Sequence, residues 1–217
     1  MNDAFISPVQ LSLKIAFVSL IIVFVFGILL AKFMSKKKFK GKVIAETMLL
    51  LPLVLPPTVI GFLLIVIFGN TSPVSKWIEW IFDQPVMFTW WAGVIASTVV
   101  ALPLMYQSAK TGFSTIDPAV EEAARVDGAG EWKVFFFVTM PLAYHSLISG
   151  AILSFARALG EFGATLMFAG NIPGKTQTMS TAIYMSIESG NMKLAWLLVI
   201  TMIIISFFML LVAAKFK

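Results

Sequence analysis

Five long apolar segments, separated by shorter polar ones, dominate the chain. Each is long enough to cross a hydrocarbon core of about 30 Å as a helix, which takes about 20 residues. A membrane barrel would need strands of about 10 residues in which apolar and polar positions alternate, and runs such as IIVFVFGILLA do not alternate. The pattern therefore predicts an all-α polytopic membrane protein with about five transmembrane helices in one domain, 1–217. The predicted spans are 11–34, 43–68, 86–106, 146–169 and 194–214.

Composition supports a membrane location. Of the 217 residues, 59% are hydrophobic and 12% are charged, whereas soluble domains have about 45–50% apolar and about 25% charged residues. So little charge does not cover a water-facing surface, which argues against a soluble globular enzyme. The chain has no Cys, which excludes a disulfide framework, a thiolate nucleophile and zinc sites built on thiolates.

The distribution of charge predicts an orientation. The net charge is +5, but nucleic-acid binding would need basic residues gathered on a soluble face. The largest basic group instead lies between the first two apolar segments, where it suits lipid headgroups and marks a cytoplasmic loop. Its members are Lys36, Lys37, Lys38, Lys40 and Lys42. Together with Lys110, Arg125 and Lys133 in the third loop, it predicts a membrane protein with its N terminus outside and its C terminus in the cytoplasm. Lys175 and Lys193 in the fourth loop fit this orientation least well.

The first apolar segment has a second interpretation, a cleavable signal peptide with Lys14 as its basic region. The apolar run from Ile15 to Ala31 is longer than a usual signal core, no A-x-A cleavage site follows it, and lysines come next. These features favour a retained transmembrane helix.

The third polar loop, 117–141, is rich in acidic residues and predicts a short amphipathic helix. Pro118 suits a first helical position and Asp117 the N-cap before it, so we expect the helix to run from about Pro118 to Val126. Gly128 suits the left-handed conformation that ends a helix. The residues alone leave two alternatives open, a surface that docks a partner or a solvated helix that only joins two spans.

The spacing of residues in this loop favours docking. Glu122-Ala123-Ala124, three residues, Gly128, nine residues and then Val138-Thr139-Met140-Pro141 resembles the E-A-A-x3-G-x9-I-x-L-P signature of binding-protein-dependent ABC importer permeases. Val138 replaces Ile and Met140 replaces Leu, and both are apolar residues of similar volume. The resemblance implies a type I ABC importer permease fold in which this loop forms the coupling helix, seated in a cleft of a cytoplasmic ATPase. The coupling residues that it implies are Glu122, Ala123, Ala124, Gly128, Val138, Met140 and Pro141.

Two other segments are similar to the molybdate permeases of that family. They are Ala156-Arg157-Ala158-Leu159-Gly160-Glu161-Phe162-Gly163-Ala164-Thr165 with the turn Asn171-Ile172-Pro173-Gly174, and Leu51-Pro52-Leu53-Val54-Leu55-Pro56-Pro57-Thr58 with the following Gly61. Sulfate permeases share the Ala-Arg-Ala-Leu-Gly-Glu run but tend toward Tyr and Ser where this chain has Phe162 and Thr165, and tungstate permeases are closer. Molybdate is therefore the expected anion, with sulfate and tungstate as alternatives.

The same resemblance implies partners. They are a second copy of the chain, two ATPase subunits that hold ATP and Mg²⁺, an external solute-binding protein and an oxyanion substrate. The sequence has no internal repeat, so a symmetric pathway would need that second copy. It also has no Ser/His/Asp set, carboxylate dyad or metal-ligand cluster, and the loop 170–176 lacks the spacing of a phosphate-binding loop. We therefore expect neither an enzyme nor a cofactor in this chain. An ion channel or a membrane anchor for an enzyme complex is the alternative from another class.

Candidate pathway or gate residues lie in the second and fourth apolar segments. Pro52, Pro56 and Pro57 should kink or break the second segment, and freed carbonyls are tolerated in a membrane only where protein or water covers them. Arg157 and Glu161 are four residues apart in an apolar run, where an isolated charge costs several kcal/mol, so we expect them to pair with each other or with a neighbouring helix. Both features leave open whether they line an anion path or only pack helices together. The full set is Pro56, Pro57, Thr58, Gly61, Arg157, Gly160, Glu161, Gly163 and Thr165.

Overall fold

The helical prediction is confirmed by a computed structural model that describes residues 2–36, 39–69 and 72–215. Lys37 and Lys38, from the predicted cytoplasmic lysine group, lie outside the described residues. Within the described ranges the regular elements are helices, and no strand occurs. In chain order the helices are α1 (Asn2–Lys36), α2 (Lys42–Leu50), α3 (Pro57–Phe68), α4 (Pro73–Phe82), α5 (Trp90–Ser114), α6 (Pro118–Val126), α7 (Glu131–Leu142), α8 (Tyr144–Leu159), α9 (Gly163–Phe168), α10 (Met179–Glu188) and α11 (Met192–Ala214).

The number of spans agrees with the prediction of about five. Among the described residues, α1, α5 and α11 are each long and apolar enough to cross a membrane. Two further pairs meet that criterion when each pair is taken as one bent span. The segment Lys42–Leu53, which is α2 and one 3-10 turn, meets α3 at 112°, and α7 meets α8 at 76°. By length and composition, the described residues therefore contain three spans, or up to five if each bent pair is one span.

The third span extends beyond its predicted end. It was expected at 86–106, whereas α5 begins at Trp90 and continues to Ser114. The polar residues Gln107, Lys110 and Thr111 continue the helix, because Gln and Lys are good helix formers. A prediction from hydropathy alone places the end of the third span where these polar residues begin.

The fourth predicted span, 146–169, is not one continuous helix, and the prediction is corrected here. α8 ends at Leu159 and α9 begins at Gly163. Oε1 of Glu161 accepts the backbone N–H of Ala164 at 2.9 Å, so this carboxylate satisfies a donor that the start of α9 would otherwise leave free. The second segment is also broken, as its prolines predict, and Pro57 occupies the first turn of α3.

The main core lies between α1, α5 and α8. A Cβ at Gly27 of α1 would lie 2.8 Å from Cγ of Met105 in α5, so these two helices touch almost backbone to backbone. Near the other end of the contact, Ser19 Oγ donates to the carbonyl of Val94 at 3.1 Å. Small residues of this kind allow close helix packing where lipid removes the hydrophobic drive for association.

α11 presents most of its surface outward. Its apolar side chains, such as Ile203 and Phe207, are exposed along the helix, which suits contact with lipid. α10 was not among the predicted elements, and it packs against α11 and α1. The backbone N–H of Met179 donates to Oγ of Ser12 in α1 at 2.7 Å. α10 is thereby fixed near the N-terminal part of α1.

Candidate functional site

The predicted loop helix is present with its predicted limits. α6 spans Pro118–Val126, and the Asp117 carboxylate accepts the backbone N–H of Ala119 at 2.9 Å. Gly128 has φ +87°, and the N–H of Ala129 donates to the carbonyl of Ala124 at 3.0 Å. This arrangement is a Schellman-type helix end, which places Gly128 in the left-handed region. Both ends of α6 are therefore held by local hydrogen bonds.

A cluster of polar side chains fastens α6 to α7. Oγ1 of Thr139 donates to Oε1 of Glu121 at 2.6 Å. Nη2 of Arg125 lies 3.1 Å from Oε2 of Glu121, and Nε of the same guanidinium pairs with Glu131. Both carboxylates raise the pKa of Arg125, Glu131 most strongly. Because Glu121 and Arg125 belong to α6 and the other two residues to α7, the two helices form one connected unit.

The residues of the predicted coupling motif occupy the outer surface of this unit. Glu122 and Ala123 are exposed and Ala124 is half-buried. Val126, at the end of α6, is 87% exposed, which leaves an apolar side chain on a polar helix facing outward. The sequence prediction missed Glu121 and Thr139, although the four-residue spacing of Glu121 and Arg125 indicates an ion pair on one helix face.

The second half of the motif lies on an irregular turn of α7. Residues Phe135–Thr139 form a π turn, and the N–H of Met140 donates to the carbonyl of Phe135. Pro141 follows directly, and because it has no N–H of its own it disfavours a regular α-helical pattern at this point. Val138 and Met140 are half-buried, and Pro141 is exposed.

Lys32 of α1 holds α7 against the membrane helices. Its Nζ lies 4.0 Å from the ring centre of Trp132 and 3.8 Å from that of Phe135. Phe135 is fully buried and also packs edge-on against Phe113 of α5. α7 is therefore in direct contact with α1 and α5.

Arg157 and Glu161 form the predicted ion pair at the break between α8 and α9. Nη1 of Arg157 lies 2.7 Å from Oε2 of Glu161, at angles outside those of a hydrogen bond. The side chain of Glu161 is 1% exposed and that of Arg157 is 31% exposed. Glu161 therefore carries a charge inside the protein, whereas Arg157 reaches the surface of the single chain.

Gly61 and Gly163 allow α3 and α9 to pack side by side, both starting at a break. A Cβ at Gly163 would lie 2.9 Å from Cβ of Pro57, and a Cβ at Gly61 would lie 3.2 Å from Cα of Ala164. Contact this close leaves no room for a side chain at either glycine. Both glycines therefore lie at the contact between α3 and α9.

The remaining candidate pathway residues divide between surface and interior. Pro56, Pro57 and Thr58 are exposed, and so is Gly160. Thr165 is 1% exposed, and its hydroxyl has no hydrogen-bond partner among the described residues. Thr165 therefore lies inside the packing of α9, whereas the other four are open to a pathway or to a partner. The described residues contain no group of three or more His, Cys, Asp or Glu side chains that could hold a metal ion.

Comparison with known proteins gives consistent matches. The model of the family described as "binding-protein-dependent transport system inner membrane component" matches residues 23–216. YvgM of Bacillus subtilis (strain 168), named provisionally as a molybdenum transport system permease protein, is 62% identical over 206 residues, which are 95% of this chain and 91% of that protein. The molybdenum transport system permease protein ModB of Escherichia coli (strain K12) is 40% identical, covering 83% of this chain and 79% of its own. The sulfate transport system permease protein CysT of the same strain is 32% identical, and the alignment covers 86% of this chain and 67% of that protein.

A solved structure supports the fold independently. A bacterial alginate ABC transporter, in complex with a periplasmic protein that carries an alginate pentasaccharide, contains a chain that aligns with a TM-score of 0.75. The alignment covers 96% of this chain and 76% of the other, at 21% sequence identity. At that identity the likeness concerns the fold.

Proposed function

The chain belongs to the family of binding-protein-dependent transport system inner membrane components, and from that membership we propose that it is the permease subunit of an ATP-driven molybdate importer. The observation that carries the anion assignment is the order of similarity. Relatives named for molybdenum are 62% and 40% identical to this chain, and a relative named for sulfate is 32% identical. The similarity to both classes extends over most of the chain.

The chain acts as a multi-pass inner-membrane protein, with its N terminus outside and its C terminus in the cytoplasm. It works as a homodimer with the anion path at the subunit interface. An external solute-binding protein delivers the oxyanion, and two ATPase subunits bind ATP and Mg²⁺ on the cytoplasmic side. The permease supplies the path and its gate, and the ATPase supplies the energy.

Coupling to the ATPase runs through α6. The exposed residues Glu122, Ala123 and Gly128 form the docking surface, supported by Val138, Met140 and Pro141 in α7. Because α6 is fastened to α7 through Glu121 and Thr139, closure of the ATPase dimer would move both helices together. α7 bends directly into α8, so the displacement would reach the break that contains Arg157 and Glu161.

The candidate gate lies where α3 and α9 begin. Pro56, Pro57, Thr58 and Gly160 are exposed there. The contact of Gly61 and Gly163 with the neighbouring helix would make the two short helices move as one body. Thr165 supports this body from inside.

Ala123→Arg tests the docking surface. Ala123 is exposed, so a large charged side chain there should leave the permease folded but prevent association with the ATPase, measured as the amount of ATPase that copurifies. Ser114→Arg is the matched control, because Ser114 is exposed at the end of α5 and outside α6. Normal copurification with Ala123→Arg would contradict the coupling assignment.

Uptake of labelled molybdate by a strain that lacks this chain tests the transport assignment. We expect uptake at low external molybdate to be lost and to return when the chain is supplied again. Uptake that is unaffected by the deletion would overturn the molybdate assignment. Flux that persists when the ATPase cannot hydrolyse ATP would indicate the ion channel alternative.

A further inference from the structure

A groove of about 530 Å³, lined by polar side chains and by Leu104 and Leu153, runs along the surface between α5 and α8. Its polar lining comes from one face of each helix: Gln107, Ser108 and Thr111 of α5, and His145, Ser146 and Ser149 of α8. None of the residues that line this groove is Lys, Arg, Asp or Glu. The groove is therefore a strip that combines hydrogen-bonding groups with two leucines and carries no carboxylate, ammonium or guanidinium group.

Two close contacts between the helices build the groove. A Cβ at Gly112 of α5 would lie 2.7 Å from Cβ of Ser146, and a Cβ at Gly150 of α8 would lie 2.5 Å from Cβ of Ser108. The two backbones therefore approach as closely as they can. The longer polar side chains beside these contacts cannot enter the helix interface, and they remain on the surface.

Lipid does not suit this surface. The amide of Gln107 and the ring of His145 are exposed, and hydrocarbon offers such groups no hydrogen-bond partner. The lipid-facing helix α11 shows the contrast, since its exposed residues include Ile203 and Phe207. The groove between α5 and α8 therefore faces water or a second protein chain.

The ion pair lies on nearly the same face of α8 as the groove. On α8, Ser146 and Arg157 are eleven residues apart, which is about three helical turns and about 16 Å along the axis. Eleven residues return to nearly the same face of a helix, and Leu153 lies between them on that face. The strip thus leads from Arg157, which is partly exposed, toward the cytoplasmic segment that contains α6 and α7.

We propose that this groove is the cytoplasmic half of the anion path and that its hydroxyl and amide groups contact the oxyanion as it leaves. The proposal rests on the transport function proposed above. Hydroxyl and amide hydrogens can donate to oxyanion oxygens without the attraction of a fixed positive charge. A path must bind its ion weakly enough to release it, and a lining without Lys or Arg meets that need.

Single-cysteine variants test whether the groove contains water, and the chain has no Cys of its own. The variants are Gln107→Cys, Thr111→Cys and Ser149→Cys, with Phe207→Cys as the control on the exposed apolar face of α11. The complete complex with its ATPase, in inside-out vesicles, is treated with a membrane-impermeant anionic methanethiosulfonate. Because only a thiolate reacts and apolar surroundings disfavour it, we expect the groove variants to react at least about tenfold faster than the control. Rates equal to that of Phe207→Cys would overturn the proposal.

A transport measurement tests contact with the anion. Thr111→Val removes one hydroxyl at nearly constant volume, and we expect it to reduce ATP-dependent uptake by about threefold to tenfold. The matched control is Thr201→Val, since Thr201 is on α11 and its hydroxyl donates to the carbonyl of Leu197 at 2.8 Å. Equal uptake by Thr111→Val and Thr201→Val would overturn the anion contact.

The two proposals fail in different ways. If the groove cysteines react and Thr111→Val impairs uptake of an anion other than molybdate, the groove assignment stands and the molybdate assignment is wrong. If molybdate uptake depends on this chain but the cysteines do not react, the groove assignment is wrong and the transport function stands.

Discussion

Replacement of either partner in the Arg157 and Glu161 pair should have unequal effects. Arg157→Met removes the cation beside the Glu161 carboxylate, which is 1% exposed and accepts the N–H of Ala164. Loss of one partner from a buried pair costs about 3–5 kcal/mol, because an uncompensated charge stays inside the protein. Since 1 kcal/mol shifts Tm by about 2–4 °C for a chain of this size, Arg157→Met should lower Tm substantially.

Glu161→Gln should cost less. The guanidinium of Arg157 is 31% exposed and can keep part of its hydration. We therefore expect the loss of its partner to destabilise the fold by only about 1–2 kcal/mol. The amide oxygen of the new glutamine can still accept the N–H of Ala164 and preserve the start of α9. The double variant Arg157→Met with Glu161→Gln removes both charges and should be more stable than Arg157→Met alone.

Thermal unfolding of the detergent-solubilised complex, compared across the two single variants and the double variant, measures the coupling between the two residues. We expect a coupling free energy of about 2–3 kcal/mol, since the double variant avoids the buried unpaired carboxylate. Additive effects would refute the ion pair as a stabilising unit. An Arg157→Met variant as stable as Glu161→Gln would refute the argument from unequal burial.

Two further predictions each compare the effect of an alanine substitution at two glycines, of which only one is constrained by its backbone conformation or its packing. Gly128 has φ +87° and Gly130 has φ −69°, and a Cβ meets nothing within 4 Å at either position. We therefore expect Gly128→Ala to destabilise the end of α6 by about 1–2 kcal/mol and to lower ATP-dependent uptake, whereas Gly130→Ala should leave uptake unchanged. A Cβ added at Gly163 would lie 2.9 Å from Cβ of Pro57, whereas a Cβ added at Gly160 would lie no closer than 3.5 Å to any neighbouring atom. Gly163→Ala should therefore cost about 1–3 kcal/mol in thermal unfolding, and Gly160→Ala should cost little. Equal effects within either pair would contradict these explanations.

Local signals along the chain predicted the limits of α6. Asp117, Pro118 and Gly128 specify the start and the end of α6 through backbone chemistry that needs no tertiary contact. The spacing of Arg157 and Glu161 likewise predicted their ion pair, because residues four apart on a helix are neighbours and a charge in an apolar run needs a partner.

Features that depend on tertiary packing were not predicted. The polar residues at the end of α5, among them Gln107 and Thr111, fell outside a span chosen by hydropathy, so the groove with α8 was not visible. The contacts of Gly112 with Ser146 and of Gly61 with α9 join residues far apart in sequence, and no local pattern indicates them. The burial of Thr165, a candidate pathway residue from its place in a motif, likewise depends on packing that no local pattern indicates.

ATP-dependent accumulation of labelled molybdate in vesicles is the most direct test of the central claim. The vesicles contain this chain with its ATPase, and the solute-binding protein is supplied on the outer side. We predict accumulation only when ATP and the binding protein are both present, undiminished by excess sulfate. Accumulation of sulfate in place of molybdate, or equilibration of molybdate without ATP, would contradict the claim.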